Sequence, residues 1–409
     1  MKERTRKWRA QLAAMMVALA MIIPGSGAVA DGRSTDALDS DQGHADSVSA
    51  QMQAGTGAIF NDPNGSEADQ YRIRDYVQGL VERAPEGSTI SMSIYNITDF
   101  DLDLGTEILR ASFNGVNVQL VLEGSVAGES PVGRMLLGAL GDDLEADSWA
   151  VACDDGCHGS NINHNKFFLF SEVDGERDVV VQSSANFTVL NGSRYWNNAV
   201  SFANNRDLYD GYMDYFADLA RNHTDPDYHR GFEAGDVAAT LFPVGPSYPG
   251  DGPQDPLLDE LDAVICTGNE ATGDGRGNTI VRAAQNYFGR PEVAEKLTEL
   301  ADEGCVVKVA YTEFNFGVDD ILLPHPGVEL RLLEDDPEQN MIHSKYLIVE
   351  GGFDGERDQH VTITGSPNIS YNALNYNDEA MLRIIDPDIY GQYLSNFRDV
   401  WFDEGAVTP

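Results

Sequence analysis

The sequence predicts an α/β protein of two similar domains, each a mixed β-sheet flanked by helices, related by a pseudo-twofold axis with one shared site where they meet. Three observations carry this. Strand-like apolar runs alternate with amphipathic helical stretches over most of the chain. Their order recurs in the second half. Each half also holds one short stretch, INHNKFFLF at 162–170 and MIHSKYLIV at 341–349, that puts a histidine and a lysine two residues apart on an apolar background.

The first half opens with the helical pattern YRIRDYVQGLVERA (71–84), the strand TISMSIYNI (89–97), the helical GTEILRASFNGV (105–116) and the strand NVQLVLEG (117–124). The histidine-bearing strand follows, then a DGERD turn (174–178), the strand VVVQ (179–182), an S-x-N formed by Ser184 and Asn186, and an amphipathic helix at 207–220. In the second half NTIVRAAQNYF (278–288), the helix at 290–304 and the strand CVVKVAYTEF (305–314) lead to the second histidine strand. A second DGERD turn (354–358), the strand VTIT (361–364), Ser366 with Asn368, and a closing helix at 387–402 complete the repeat. Between the halves FPVGPSYPGDGPQDP (242–256) is dense in proline and glycine and reads as a linker.

The ends and the composition set the class. A basic start, the apolar run 12–23 and the small-residue site Ala28-Val29-Ala30 read as a cleaved secretory signal over 1–30. A Gly/Ser/Asp/Ala-rich lead-in follows over 31–65. The expected domains are then 66–241 and 257–409, in a secreted, extracellular protein that acts as a monomer. Four cysteines suit an exported chain as two disulfides; Cys153 with Cys157 and Cys266 with Cys305 is the favoured pairing of three possible ones. The chain carries a formal charge of −40, and since residues 1–30 hold five basic residues and one acid, the rest stands at −44. Such a field repels polyanions, which counts against a nucleic-acid partner.

Residues i and i+2 of a strand share a face, so His164 stands with Lys166 and His343 with Lys345. Beyond residue 30 the only lysines are Lys166, Lys296, Lys308 and Lys345, so half of a scarce type falls in these two stretches. If the halves face each other, two histidines, two lysines, two hydroxyls and two amides meet, a set suited to a phosphodiester. The lysines would neutralise phosphoryl oxygens and Asn186 and Asn368 would donate to them, with Ser184 and Ser366 in support. One histidine would attack phosphorus while the other donates to the leaving oxygen, with no metal or other cofactor required. Eleven residues beyond Asn368 stands Glu379, and eleven beyond Asn186 stands Asn197. If each serves the histidine of its own half, the carboxylate favours a protonated His343, the general acid, and the amide a neutral His164, the nucleophile.

The HNK with SSAN and the HSK with GSPN resemble the paired H-x-K…G-S-x-N motifs of the phospholipase D superfamily, and the resemblance runs from about Ser66 onward. It implies an active site at the interface of two α/β domains and a phosphohistidine intermediate. It carries over His164, Lys166, Ser184 and Asn186, then His343, Lys345, Ser366 and Asn368, with Glu379 as the downstream acid. It also implies a phospholipid substrate met at a membrane surface. An extracellular nuclease, or a silent member that only binds a phosphorylated ligand, are the alternatives. The chain departs from the family where an Asp is expected five residues after each lysine, having Ser171 (followed by Glu172) and Glu350; it also has Ser183 for a glycine and Asn197 for an acid.

His44, His223, His229, His325 and His360 have no such company and read as surface or loop residues, and His158 as loop-exposed, with a place at the pocket mouth, or a metal site with the cysteines of CDDGCH, as the alternatives. Trp149, Trp196 and Tyr195 read as core packing, with an apolar rim for a lipid tail as the alternative.

Overall fold

The recurring order of strands in the sequence becomes a recurring order of strands in space. The computed structural model describes residues 53–98, 102–245, 255–336 and 338–409, all within one compact unit. The signal segment, the lead-in up to residue 52 and the linker residues 246–254 lie outside the described residues.

The strands of the first half are β1 (Gly57–Phe60), β2 (Thr89–Ile94), β3 (Asn117–Glu123), β4 (Trp149–Cys153), β5 (Lys166–Val173), β6 (Glu176–Ser183), β7 (Tyr195–Trp196) and β8 (Asn198–Phe202). Then come β9 (Arg230–Ala234), β10 (Val237–Leu241), β11 (Val264–Ile265), β12 (Ile280–Phe288), β13 (Val306–Phe314), β14 (Val328–Leu332), β15 (Met341–Ile342), β16 (Lys345–Phe353), β17 (Glu356–Gly365) and β18 (Ala380–Ile385). One sheet runs β1-β8-β6-β5-β2-β3-β4, and the other runs β14-β13-β12-β16-β17-β18-β10-β9 with β11 beside β16. In both, the first three strands of the repeat are parallel and the next three are added antiparallel. Both sheets are mixed and flanked by helices, as the sequence predicts.

Three apolar layers hold these sheets. Phe168, Phe170, Val179 and Val181 face outward onto the helices Arg72–Arg83, Leu102–Phe113 and Pro131–Leu140. Phe167, Leu169 and Val180, of opposite parity, face a central core shared with Tyr346, Ile348 and Leu382 of the second sheet. Leu347, Val349 and Val361 face the outer helices of the second half, among them Pro291–Asp302. Strands covered on both faces need apolar residues at every position, which is why the histidine strands read as continuous apolar runs.

The two 15-residue helices Arg206–Ala220 and Pro387–Trp401 fill the central layer with Tyr212, Tyr215, Phe216, Tyr393, Phe397 and Trp401. Both DGERD turns are tight hairpins with positive φ at Asp174-Gly175 and Asp354-Gly355.

Two features differ from the sequence reading. The expected lead-in contains β1, which pairs with β8 through Gly57↔Ser201; four residues are too few for a periodicity to register. The hairpin β9–β10 precedes the linker yet extends the second sheet, β10 pairing with β18 from Val237↔Ile384 to Leu241↔Ala380. Trp149 and Trp196 are core residues, 5% and 3% exposed, so neither forms a rim. Both disulfides form with the favoured connectivity. Among the described residues no helix is long and apolar enough to cross a membrane.

The Cys266–Cys305 bridge ties the entry of the second half to the strand β13 across a separation of 39 residues. Closing a loop of that size restrains the unfolded chain by about 4 kcal/mol. The double replacement Cys266→Ala, Cys305→Ala is therefore expected to lower the urea midpoint by a corresponding amount; an unchanged midpoint would contradict that role.

Candidate active site

β2 pairs Ile94 with Lys166, and β12 pairs Gln285 with Lys345, so the two lysines enter their sheets at matching places with each histidine just ahead of its strand. Both histidine backbones are then tied to the opposite half. The His164 N–H donates to the Asp378 carbonyl at 2.9 Å, and the His343 N–H to the Trp196 carbonyl at 2.9 Å. β7 and β15 add a short parallel ladder, Ile342 opposite Trp196, and Asn163 bridges Asp378 in the same sense.

These tethers deliver the next residue of each half, Glu379 and Asn197, to the histidine of the other half. Nδ1 of His164 lies 2.8 and 2.9 Å from the two oxygens of Glu379, and Nδ1 of His343 lies 2.9 Å from Oδ1 of Asn197. The sequence expectation that each partner serves its own half is corrected. Equal spacing identified the right residues, but the chain before each of them runs along the other half's histidine segment, so the pairing crosses.

Hydrogen bonding around the partners fixes the tautomers. Asn197 donates from Nδ2 to the carbonyls of Asn191 (2.8 Å) and Tyr195 (3.3 Å), so its Oδ1 accepts from His343 Nδ1 and from Ser184 Oγ (3.1 Å). Glu379 Oε1 also accepts from Asn377 Nδ2 at 3.1 Å. Both rings therefore carry hydrogen on Nδ1, which leaves Nε2 for the reacting group.

The two serines support this layer. Ser184 Oγ accepts the Asn198 N–H at 3.0 Å, and Ser366 Oγ accepts the Ala380 N–H at 3.1 Å. Lys166 and Lys345 are 1% and 2% exposed, and each donates from Nζ to the carbonyl of its own motif histidine. Asn186 and Asn368 are part-buried, and Oδ1 of each is buried with no hydrogen-bond partner. Their side-chain amides keep unspent hydrogen-bonding capacity.

Burial governs the electrostatics. It depresses His164 to about 4, with Glu379 opposing and Lys166 and Lys345 adding to the fall. Lys166 is brought down to about 7 by burial against the pull of Glu379. His343 and Lys345 are held well below their usual ranges, again by burial first and then by neighbouring positive charge. Burial pushes Glu379 upward, but His164, Lys166 and Ser366 more than offset it. The site thus holds four basic side chains against one carboxylate. Among the described residues no cluster of His, Cys, Asp or Glu is arranged to hold a metal ion.

Several participants gave no signal in the sequence. Tyr95 sets its ring 4.7 Å from Lys166 Nζ and edge-on to His164 at 4.8 Å, while Tyr195 stacks on His343 at 5.7 Å. Tyr95 could not be told from packing without the fold, and Tyr195, read as core packing, is a part-buried ring beside His343. His158 is not loop-exposed: it is 5% exposed and stacked on Tyr228 at 4.0 Å. His223 is exposed, and His229, His325 and His360 are partly so, whereas His44 lies outside the described residues. At the positions where the family has Asp, Ser171 accepts the Thr89 N–H (2.8 Å) and Glu350 holds Arg282 (3.2 Å) and the Tyr390 hydroxyl (2.8 Å). Both secure strands.

Residues 277–401 match a family described as "Cardiolipin synthase, PLD-like domain". None of the curated proteins compared matches the chain. Solved structures it resembles include a phosphatidylserine synthase from Haemophilus influenzae Rd KW20, at 12% identity over 88% of this chain and 91% of that one, with a TM-score of 0.56. Another is a polyphosphate kinase from Porphyromonas gingivalis, at 13% identity and a TM-score of 0.54; the match covers 85% of this chain but only 50% of the kinase. At these identities the likeness is one of fold.

The free-enzyme pKa values set the expected pH dependence of kcat/KM. As pH falls through about 4, His164 gains a proton on Nε2, and as pH rises through about 7, Lys166 loses its charge, so a reaction that needs the free imidazole and the ammonium together is confined between them. A bell between these limits is expected. Glu379→Gln removes a group that raises both values, so both limbs should move to lower pH. Limbs that stay fixed in that variant would contradict the coupling.

Proposed function

We propose that this chain, whose residues 277–401 match a PLD-like domain, is a phospholipase D-like phosphodiesterase that hydrolyses or transfers phospholipid head groups through a phosphohistidine on His164, without a metal. The observation that carries this reading is the meeting of His164–Glu379 and His343–Asn197, each pair built from both halves, beside two buried lysines.

In the first step Nε2 of His164 forms a bond to phosphorus as the bond to the leaving oxygen breaks, and His343 gives that oxygen its proton. The phosphorylated imidazole carries positive charge with hydrogen on Nδ1, so the Glu379 carboxylate stabilises the product of attack more than the starting ring. That argument assigns the nucleophile to His164 even though the carboxylate serves it and not His343. His343, held by an uncharged amide between two lysines, parts easily with a proton. The negative diester supplies the charge that lets His343 and both lysines be protonated in the complex. In the second step a water or alcohol attacks phosphorus, His343 takes its proton, and the N–P bond breaks to leave a phosphomonoester or a new diester.

Lipid is favoured over nucleic acid by the net charge of −40 and by the scarcity of lysines outside the site. The lipid-synthase names of the matched family and of the Haemophilus structure accord with that choice. Export from the cell, in monomeric form, is part of the same proposal, supported by the two disulfides.

The test uses the purified protein in EDTA on phosphatidylcholine vesicles, single-stranded DNA and bis(4-nitrophenyl) phosphate. Choline release that His164→Ala abolishes is the expected result; DNA cleavage with intact lipid would replace the lipid reading with the nuclease one. With the activated diester, whose leaving group needs little acid, His343→Asn should accumulate phosphoenzyme because dephosphorylation loses its base, a loss on the order of 10²–10⁴-fold. Absence of phosphoenzyme there would overturn the division of roles.

A further inference from the structure

The proposed chemistry leaves Asp378 without a task, although it is fully buried and adjoins Glu379 in the chain. All its polar groups are spent on one segment of the opposite half. Its carboxylate accepts the N–H groups of Cys157 at 2.5 Å, His158 at 3.0 Å and Gly159 at 2.8 Å. Its own N–H donates to the Ile162 carbonyl at 2.9 Å, and its carbonyl accepts the His164 N–H at 2.9 Å.

The segment that supplies the three N–H groups is built for a close approach. Cys153 and Cys157 close it covalently over four residues. Gly156 takes φ +83°, and a side chain on Gly159 would put its Cβ 2.1 Å from the Tyr376 carbonyl oxygen. His158, between two of the donors, is fastened by its stack on Tyr228 and a 3.1 Å contact from Nδ1 to the His223 carbonyl. Asn161 extends the contact by donating to Asn377, which in turn donates to Glu379.

The other half has no counterpart. Trp196 occupies the matching place, where its carbonyl accepts the His343 N–H, but its indole Nε1 turns away to Asp403 at 2.9 Å. A carboxylate filled by three converging N–H groups is a rigid joint, because each donor is directional and water is excluded.

We propose that Asp378 is a positioning residue: by gripping the disulfide-closed turn 153–159 across the interface, it fixes Glu379 against His164 and so sets the attacking ring. The inference rests on the reading that His164 with Glu379 forms the nucleophilic pair. The device is one-sided because the nucleophile must meet phosphorus along a defined line, whereas a proton donor tolerates more freedom.

The experiment is a double-mutant cycle on the full-length protein with bis(4-nitrophenyl) phosphate, using Asp378→Asn, Glu379→Gln and both together. Asp378→Asn is expected to lower kcat on the order of 10²-fold with KM little changed, the scale of a misplacement near 1 Å. It should also move the acidic limb of kcat/KM to lower pH. In the Glu379→Gln background it should add little, since there is no carboxylate left to aim. Equal losses in both backgrounds would mean general loosening and overturn the proposal, as would wild-type kcat in Asp378→Asn. Full activity in Glu379→Gln alone would sink the nucleophile reading instead. Should Asp378→Asn fail to fold, Cys153→Ser with Cys157→Ser leaves the carboxylate in place and should give the same signature in weaker form; wild-type kcat and pH profile there would overturn the proposal.

Discussion

The arrangement of this protein follows from a single electrostatic constraint: two lysines and two histidines are buried together with one carboxylate. Desolvated positive charge is unstable unless something negative comes to it. Proton loss relieves the empty site, and in the proposed reaction an arriving phosphodiester reverses that loss. The cations are consequently most effective when substrate is bound, so a phosphate anion is attracted by groups that regain charge around it.

Much of the fold was legible because it repeats. Alternation, the two DGERD turns and the closing helices marked equivalent strands, and equivalent strands stand in the same order in both sheets. The histidines, lysines and serines of the site could be read for the same reason, as could Glu379. Contacts that cross between halves were not legible, since spacing along a chain contains no statement about which neighbour a strand meets. Hence Glu379 was assigned to the wrong histidine. Asp378 and Tyr95 were passed over, and His158 was placed on the surface, because a lone Asp, Tyr or His has many uses and no periodicity separates them. β1 and the hairpin β9–β10 were too short or too polar to register as strands belonging to a particular sheet.

The crossing also changes what the duplication accomplishes. Two copies of one motif would give two equal histidines if both carried the same partner. An acid on one side and an amide on the other make the site unequal, and the exchange decides which ring the acid serves, the half that carries Glu379 lending it to the half that carries Asn197. Attack and proton transfer can then be divided between rings of nearly identical local sequence. Ser184 and Ser366, bonded behind Asn197 and Ala380, show that the same scaffold supports either partner.

The hairpin β9–β10 has a bearing on how such a chain can be divided. It is encoded with the first half but hydrogen-bonded to β18, a strand far downstream in the second half. The first half cannot finish its own business before the second is present, and a gene fragment cut at the linker would carry away an edge that belongs to its sibling. What began as two interchangeable units has become an interlocked pair, closer to an exchange of arms than to beads on a string. An engineer seeking two separable pieces, or a recombination event seeking to shuffle them, would have to cut ahead of Arg230 and not after Leu241.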